Sequence, residues 1–183
     1  MKSIDILESE HRDLESMLAV LEDAAARLQN QGRVHSDLLM EAVRFFERFG
    51  NDRHHEKEEA LLFPLLAARG LGPEISVVRA LQSQHDVDRA YLLEIKEGAE
   101  HLAEEDASVG LHLATVLREY VQLVKEHIRI EETLFGAITT TLSPDDDARL
   151  VEQFDALDRC GSERNAGRTH GRLASRVPSN DSQ

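Results

Sequence analysis

Residues Arg53–Pro64 read RHHEKEEALLFP: two adjacent histidines and three glutamates running straight into an apolar stretch. A solvated helix face has no need of the histidines. A packed core has no place for bare glutamates. The segment therefore asks for a buried polar task. His54 with Glu58, and His55 with Glu59, share the i, i+4 spacing of one helix face. His54 falls in line with Val43, Phe46, Leu61 and Leu65. The other pair falls in line with Arg44, Arg48 and Asn51 or Asp52. On an α-helical phase, His54 and Glu58 point inward, and His55, Glu56 and Glu59 form the flank and the surface.

Outward from this stretch, the chain reads as helix. It has 183 residues, 41% of them hydrophobic, enough for one domain with a core. Long amphipathic segments run from about Ser3 to Asn30, Ser36 to Ala68, Pro73 to Glu105 and Gly110 to Thr141. Ser3 is placed to cap the first, and Pro73 to open the third. A fifth, shorter helix is signalled by SPDDDARLVEQFDALD. Ser143 caps it, Pro144 opens it, and Asp145, Asp146 and Asp147 complement its dipole. Nothing reads as a strand, and short connections make neighbouring helices antiparallel. The expectation is an all-α, up-down-up-down four-helix bundle with a short fifth C-terminal helix, over residues 1–159. Residues 160–183 are Arg/Ser/Gly-rich without periodicity and are expected to be a disordered tail.

The formal net charge of −14 argues against nucleic acid and anionic membranes as partners. One cysteine, Cys160, excludes an intrachain disulfide and makes the cytoplasm the simplest compartment. No segment has the run of roughly 18 apolar residues that a membrane helix needs.

The histidines fall at one height. His11 lies 19 residues before Asn30 and His54 lies 18 after Ser36, so both sit roughly 28 Å from the same turn. The same counting brings His85 and His127 to that level. His11 lies on the stripe of Ile4, Leu7, Leu14 and Leu18. His85 lies on that of Val78, Leu81, Leu92 and Ile95. His127 and Glu131 lie on that of Tyr120, Leu123, Val124, Leu134 and Ile138. His35, His101, His112 and His170 fall elsewhere. Four histidines and two carboxylates then share one buried layer. A buried carboxylate must be paired or bound to a metal. Imidazole plus carboxylate suits iron or manganese, with zinc as a further option. Two glutamates can bridge two metals that four histidines cap in pairs, leaving positions for a small molecule. The pattern also repeats, each half giving one His and then His-x-x-x-Glu.

HHEKEEALLFP, with EHRDLESML, QHDVDRAYLL and KEHIRIEETLF, resembles the motifs of the hemerythrin-like, or HHE cation-binding, family over about residues 4–158. The resemblance implies a non-haem di-iron bundle, the irons oxo- and carboxylate-bridged, with ligands His11, His54, Glu58, His85, His127 and Glu131. Oxygen-carrying hemerythrins have a second histidine one turn after that of the third helix, where Arg89 stands. They have an Asp five residues after the fourth-helix histidine, where Glu132 stands. The pattern is nearer the bacterial repair-of-iron-centres proteins. The functions implied are binding or sensing of oxygen, nitric oxide or peroxide in stress or iron handling. The alternatives are donation of iron to damaged clusters, a peroxide-reactive enzyme, and an interaction module with a structural metal. On this reading His54→Ala loses iron and His55→Ala keeps it.

Overall fold

A computed structural model describes residues 1–31, 34–70, 72–102 and 107–174, with side chains for 1–30, 34–70, 76–102 and 108–160. Among them there is no strand. Helix α1 is Lys2–Gln31. Helix α2 is built in consecutive pieces: α-helical Ser36–Phe45, π-helical Phe46–His55, π-helical Glu58–Leu62 and α-helical Phe63–Ala68. Helix α3 is Gly72–His101, α4 is Ala107–Ile138 and α5 is Pro144–Ala174. Helices α1 to α4 close a ring in which each packs on its two chain or cyclic neighbours, and α5 lies across α1 and α2. The expected four-helix bundle with a fifth helix is what forms. No helix among the described residues is long and apolar enough to cross a membrane.

The apolar stripes dictate this packing. Leu14, Leu18, Leu21, Ala25 and Leu28 of α1 meet Leu39, Val43 and Phe46 of α2, Leu92 and Ile95 of α3 and Leu117, Tyr120 and Val124 of α4. A second cluster joins Ile4, Leu7, Leu62, Phe63, Leu66, Leu81, Leu134 and Phe135 to Leu150 and Phe154 of α5. The polar layer lies between these two clusters. Helices α3 and α4 come together at Gly98, where a Cβ would sit 2.9 Å from a Leu113 methyl. Helix α2 ends at Gly70, whose φ of 71° is the left-handed stop that glycine adopts without strain.

Helix α2 departs from the α-helical phase. Its buried residues advance by four: Phe46, Gly50, His54, Glu58, Leu62 and Leu66. An α-helix repeats every 3.6 residues, or about 100° per residue. The i→i+5 ladder of a π turn rotates less per residue. The stripe therefore slips by one, from the expected Leu61 and Leu65 to Leu62 and Leu66. The same slip carries His55 inside.

Two other expectations need correction. Ser3 is inside α1, which starts at Lys2, and the capping acceptor comes from far along the chain. The Asp147 carboxylate accepts from the Lys2 amide (3.1 Å), the Ser3 amide (2.9 Å) and the Ser3 hydroxyl (2.6 Å). Ser143 does cap α5, accepting from the Asp146 amide at 3.2 Å. That helix runs on past Arg159 to Ala174, where loss of structure from Cys160 was expected. Asp145, Asp146 and Asp147 in its first turn suit the helix dipole. Residues 175–183 lie outside the described residues.

Asp147→Ala is expected to cost about 1–2 kcal/mol, as loss of a cap does, and so to lower the melting temperature by roughly 3–6 °C. Burial pushes the Asp147 carboxyl up, but the Ser3 hydroxyl and amide hold it below its ordinary 3.8. A depressed carboxyl stabilises the fold above its unfolded pKa and stops doing so as pH falls through its folded one. The difference between wild type and variant should therefore shrink in acid below about pH 4. Thermal melts at pH 7 and pH 3 check both points, and equal melting at pH 7 would refute the cap.

Candidate metal centre

Each helix of the ring sends side chains into the polar layer. His11 comes from α1, His54 and Glu58 from α2, His85 from α3, and His127 and Glu131 from α4. All are buried, Glu58 and Glu131 completely. The two carboxylates divide their oxygens between histidine pairs. Glu131 Oε2 lies 3.1 Å from His11 Nε2 and 4.0 Å from His54 Nε2, while its Oε1 lies 3.0 Å from His127 Nε2. Glu58 Oε1 lies 3.7 Å from His54 Nε2, and its Oε2 3.5 Å from His85 Nε2. Two groups result, His11/His54/Glu58/Glu131 and His85/His127/Glu58/Glu131. In each, one donor atom per residue lies within 4.8 Å of the others. The six side chains singled out in the sequence are thus brought together in one layer.

The far side of each ring fixes its direction. His54 Nδ1 donates to Glu10 Oε2 at 3.1 Å, and His85 Nδ1 to Glu59 Oε1 at 2.6 Å. His127 Nδ1 donates to Gln84 Oε1 at 2.9 Å. These oxygens only accept, so each Nδ1 carries a proton and Nε2 is the atom that each ring turns inward. Outer acceptors of this kind orient the histidines of metal sites. Arg89 now has a task. It holds Glu59 at 2.8 Å, and Glu59 in turn holds His85.

The inner atoms lack the partners that burial demands. His54 Nε2, both His11 nitrogens and all four oxygens of Glu58 and Glu131 are buried without a hydrogen bond of acceptable geometry. His85 Nε2 and His127 Nε2 face each other at 3.1 Å, lone pair to lone pair. Such a set is costly without a cation. Divalent metal ions fit it: imidazole and carboxylate donors, with no thiolate.

Without metal, the layer is electrostatically strained. Burial and the neighbouring Glu131 charge push the Glu58 carboxyl well above its ordinary value. Burial also opposes ionisation of Glu131, but His127, His11 and His54 outweigh it and hold that carboxyl well below. Burial lowers His54, yet the Glu58 charge and the hydrogen bonds of Glu10 and Glu131 prevail and bring it up to about 10. His85 goes down to about 4, through burial and then the charge of His127.

The outer layer holds residues that the α-helical reading misses. Glu10 is buried beside His11, and its Oε1 accepts from the fully buried Lys57 at 2.5 Å and lies 3.1 Å from Arg53 Nε. Lys57 also donates to Asp158 of α5 at 3.0 Å and lies over the Phe154 ring. The fifth helix is in this way tied to the ligand-bearing turn of α2. Asp88 is buried next to Tyr120 and is pushed up to about 6 by burial. His55, expected on the flank, is buried. Its ring stacks on His85 with centroids 3.8 Å apart. Glu59 is half-buried, and Glu56 is exposed as expected. Glu10 and Asp88 could have been found, since each stands three residues from a core position, Leu7 and His85. The inward turn of His55 and Lys57 had no such sign.

Comparison with known proteins agrees with this geometry. No solved structure matches the chain. Three curated relatives do, uncharacterized proteins of Mycobacterium bovis and of two strains of Mycobacterium tuberculosis. Each is 26% identical over 147 residues, which is 80% of this chain and 57% of the relative. The chain thus spans just over half the length of those relatives. The model of the hemerythrin HHE cation-binding domain matches residues 2–138, a span that takes in all four ring helices and every residue of the buried layer. A bundle whose four helices each turn histidine or glutamate into one metal-fitting layer, matched over that span, belongs to the hemerythrin HHE cation-binding family.

Proposed function

We propose that the chain is a non-haem di-iron protein that binds or reacts with a small molecule, such as oxygen, nitric oxide or peroxide, in oxidative or nitrosative stress or iron handling. His11 and His54 would hold one iron and His85 and His127 the other, with Glu58 and Glu131 placed between the two pairs. The observation that carries this reading is the division of each carboxylate's oxygens between two histidine pairs. Mixed imidazole and carboxylate donors favour iron, with manganese or zinc as lesser candidates.

When bound, an iron pair supplies a Lewis-acidic, redox-active position. The chain supplies the rest. Glu10, Glu59 and Gln84 aim the rings. Phe135, stacked on His11 at 5.7 Å, and Phe63, stacked on His85 at 6.2 Å, wall the layer and limit water. Asp88, pushed up to about 6 by burial, is mostly ionised at pH 7 and takes up a proton next to Tyr120 as pH falls.

Reconstitution with iron(II) under reducing conditions is expected to give about two irons per chain by elemental analysis, as a six-residue layer with two shared carboxylates requires. One iron or fewer would remove the dinuclear reading. Spectra taken after dithionite, air and nitric oxide then show whether a small molecule binds. Repeated turnover of peroxide would make the protein an enzyme. Stabilisation by metal with no spectral response would favour a structural metal in an interaction module.

A further inference from the structure

His55 stands outside the six-residue set, yet it has the marks of its members. It is buried at the same layer. Its Nδ1 donates to Asn51 Oδ1 at 2.8 Å, so its proton is anchored on the outer side, as in His54, His85 and His127. The remaining lone pair is Nε2. The ring lies edge-on to His127 at 5.7 Å and face to face with His85, at 16° and 3.8 Å, a stack from which one of the two rings must tilt for both to reach one metal. The donor nitrogens of His55, His85 and His127 fall within 4.8 Å of one another. On the other side of the layer no equivalent third imidazole accompanies His11 and His54 among the described residues. There the neighbouring charges are Glu10, Lys57 and Arg53, already bonded to one another. The layer is lopsided, three imidazoles at one end and two at the other.

We propose that His55 is a further ligand, through Nε2, of the metal held by His85 and His127, which leaves the metal held by His11 and His54 as the one with room for an exogenous ligand. The inference rests on the di-metal reading above and deepens it by assigning the two positions unequal roles. Its structural cause is the π-helical stretch Phe46–His55, which turns two consecutive residues into the same layer. Asn51, one turn earlier in that stretch, is then a positioning residue that holds the ring by its far nitrogen.

The test compares wild type with His55→Gly and His55→Gln, each loaded with iron(II) and oxidised in air, with circular dichroism to verify the fold. The readouts are iron per chain, the near-ultraviolet and visible spectrum, and titration with azide. Wild type should hold an iron pair and bind a single azide. Both variants should either lose one iron, through an affinity fall of roughly 10–100-fold or more, or keep the pair and accept a second azide. Added imidazole should enter the space left in His55→Gly and restore the wild-type spectrum and azide stoichiometry, and should do nothing for His55→Gln. Variants with wild-type iron, spectrum and single azide, unaffected by imidazole, would overturn the role of His55 and leave the di-metal reading standing. A wild type without an iron pair would instead remove that reading, and this inference with it.

Discussion

Stripping the metal is expected to lower the urea midpoint at neutral pH by roughly 1–2 M, and acid is expected to erase the difference. The inner layer explains the size. Metal-free, it buries two carboxylates at close range, with their four oxygens and several imidazole nitrogens lacking hydrogen bonds. A metal that binds only the folded chain adds about 4 kcal/mol when its free concentration is a thousandfold above Kd. The sign of the pH effect follows from the protons that the metal must displace. His54 is raised to about 10, largely by the Glu58 charge, so the metal-free fold carries that proton at neutral pH, and burial raises Glu58 as well. The raised His54 stabilises the metal-free fold fully below pH 6.5 and ceases to do so as pH climbs towards 10. His85, lowered to about 4, works the other way. It penalises the metal-free fold as pH falls from 6.5 towards 4, because the unfolded chain takes up that proton first. Protons thus compete with metal at His54 throughout, increasingly at Glu58 as pH falls, and at His85 below about pH 5. Paired urea melts of loaded and stripped protein at pH 7 and below pH 5 measure this. Equal midpoints at pH 7 would mean that the layer does not bind the metal.

Glu131→Gln is expected to abolish the iron pair, whereas His11→Ala should cost mainly one iron. Glu131 reaches both histidine pairs, with Oε2 towards His11 and His54 and Oε1 towards His127. Gln keeps the volume but offers a single neutral acceptor and places an NH2 against a lone pair. His11 belongs to one group only. Removing a ligand shared by two metals therefore acts on both, and the effect should exceed the 10–100-fold typical of an outer partner. The measurement is iron per chain at limiting free iron, with helicity as the control. A Glu131→Gln protein that retained both irons would show that Glu131 is not shared.

The bundle was legible because its signals are local and repeated. The stripes through Leu14, Leu92 and Val124 state the helices and their buried faces, and equal helix lengths bring the histidines to one level. His11, His54, Glu58, His85, His127 and Glu131 could be placed together from spacing alone. The inward turn of His55 and Lys57 could not, because an α-helical phase was assumed through Phe46–His55 and no proline marks the change. The cap of α1 was hidden for another reason. Asp147 is 144 residues from Ser3, and only the packing of α5 shows the two meeting. Arg89 reads in sequence as a missing histidine. In the structure it holds the acceptor of a histidine that is present.

The wide stretch of α2 also bears on how this layer responds to changes in chain length. A π turn accommodates one residue more than an α turn between the same flanking faces. Deleting a single residue between Phe46 and His55 would let the backbone relax to α-helical pitch, with Leu39 and Val43 on one side and Leu62 and Leu66 on the other still facing the interior. What would vanish is the turn that places neighbouring histidines side by side. The donor inventory of this protein is therefore written in residue count as well as in residue identity, and an insertion or deletion that touches no ligand could still edit it.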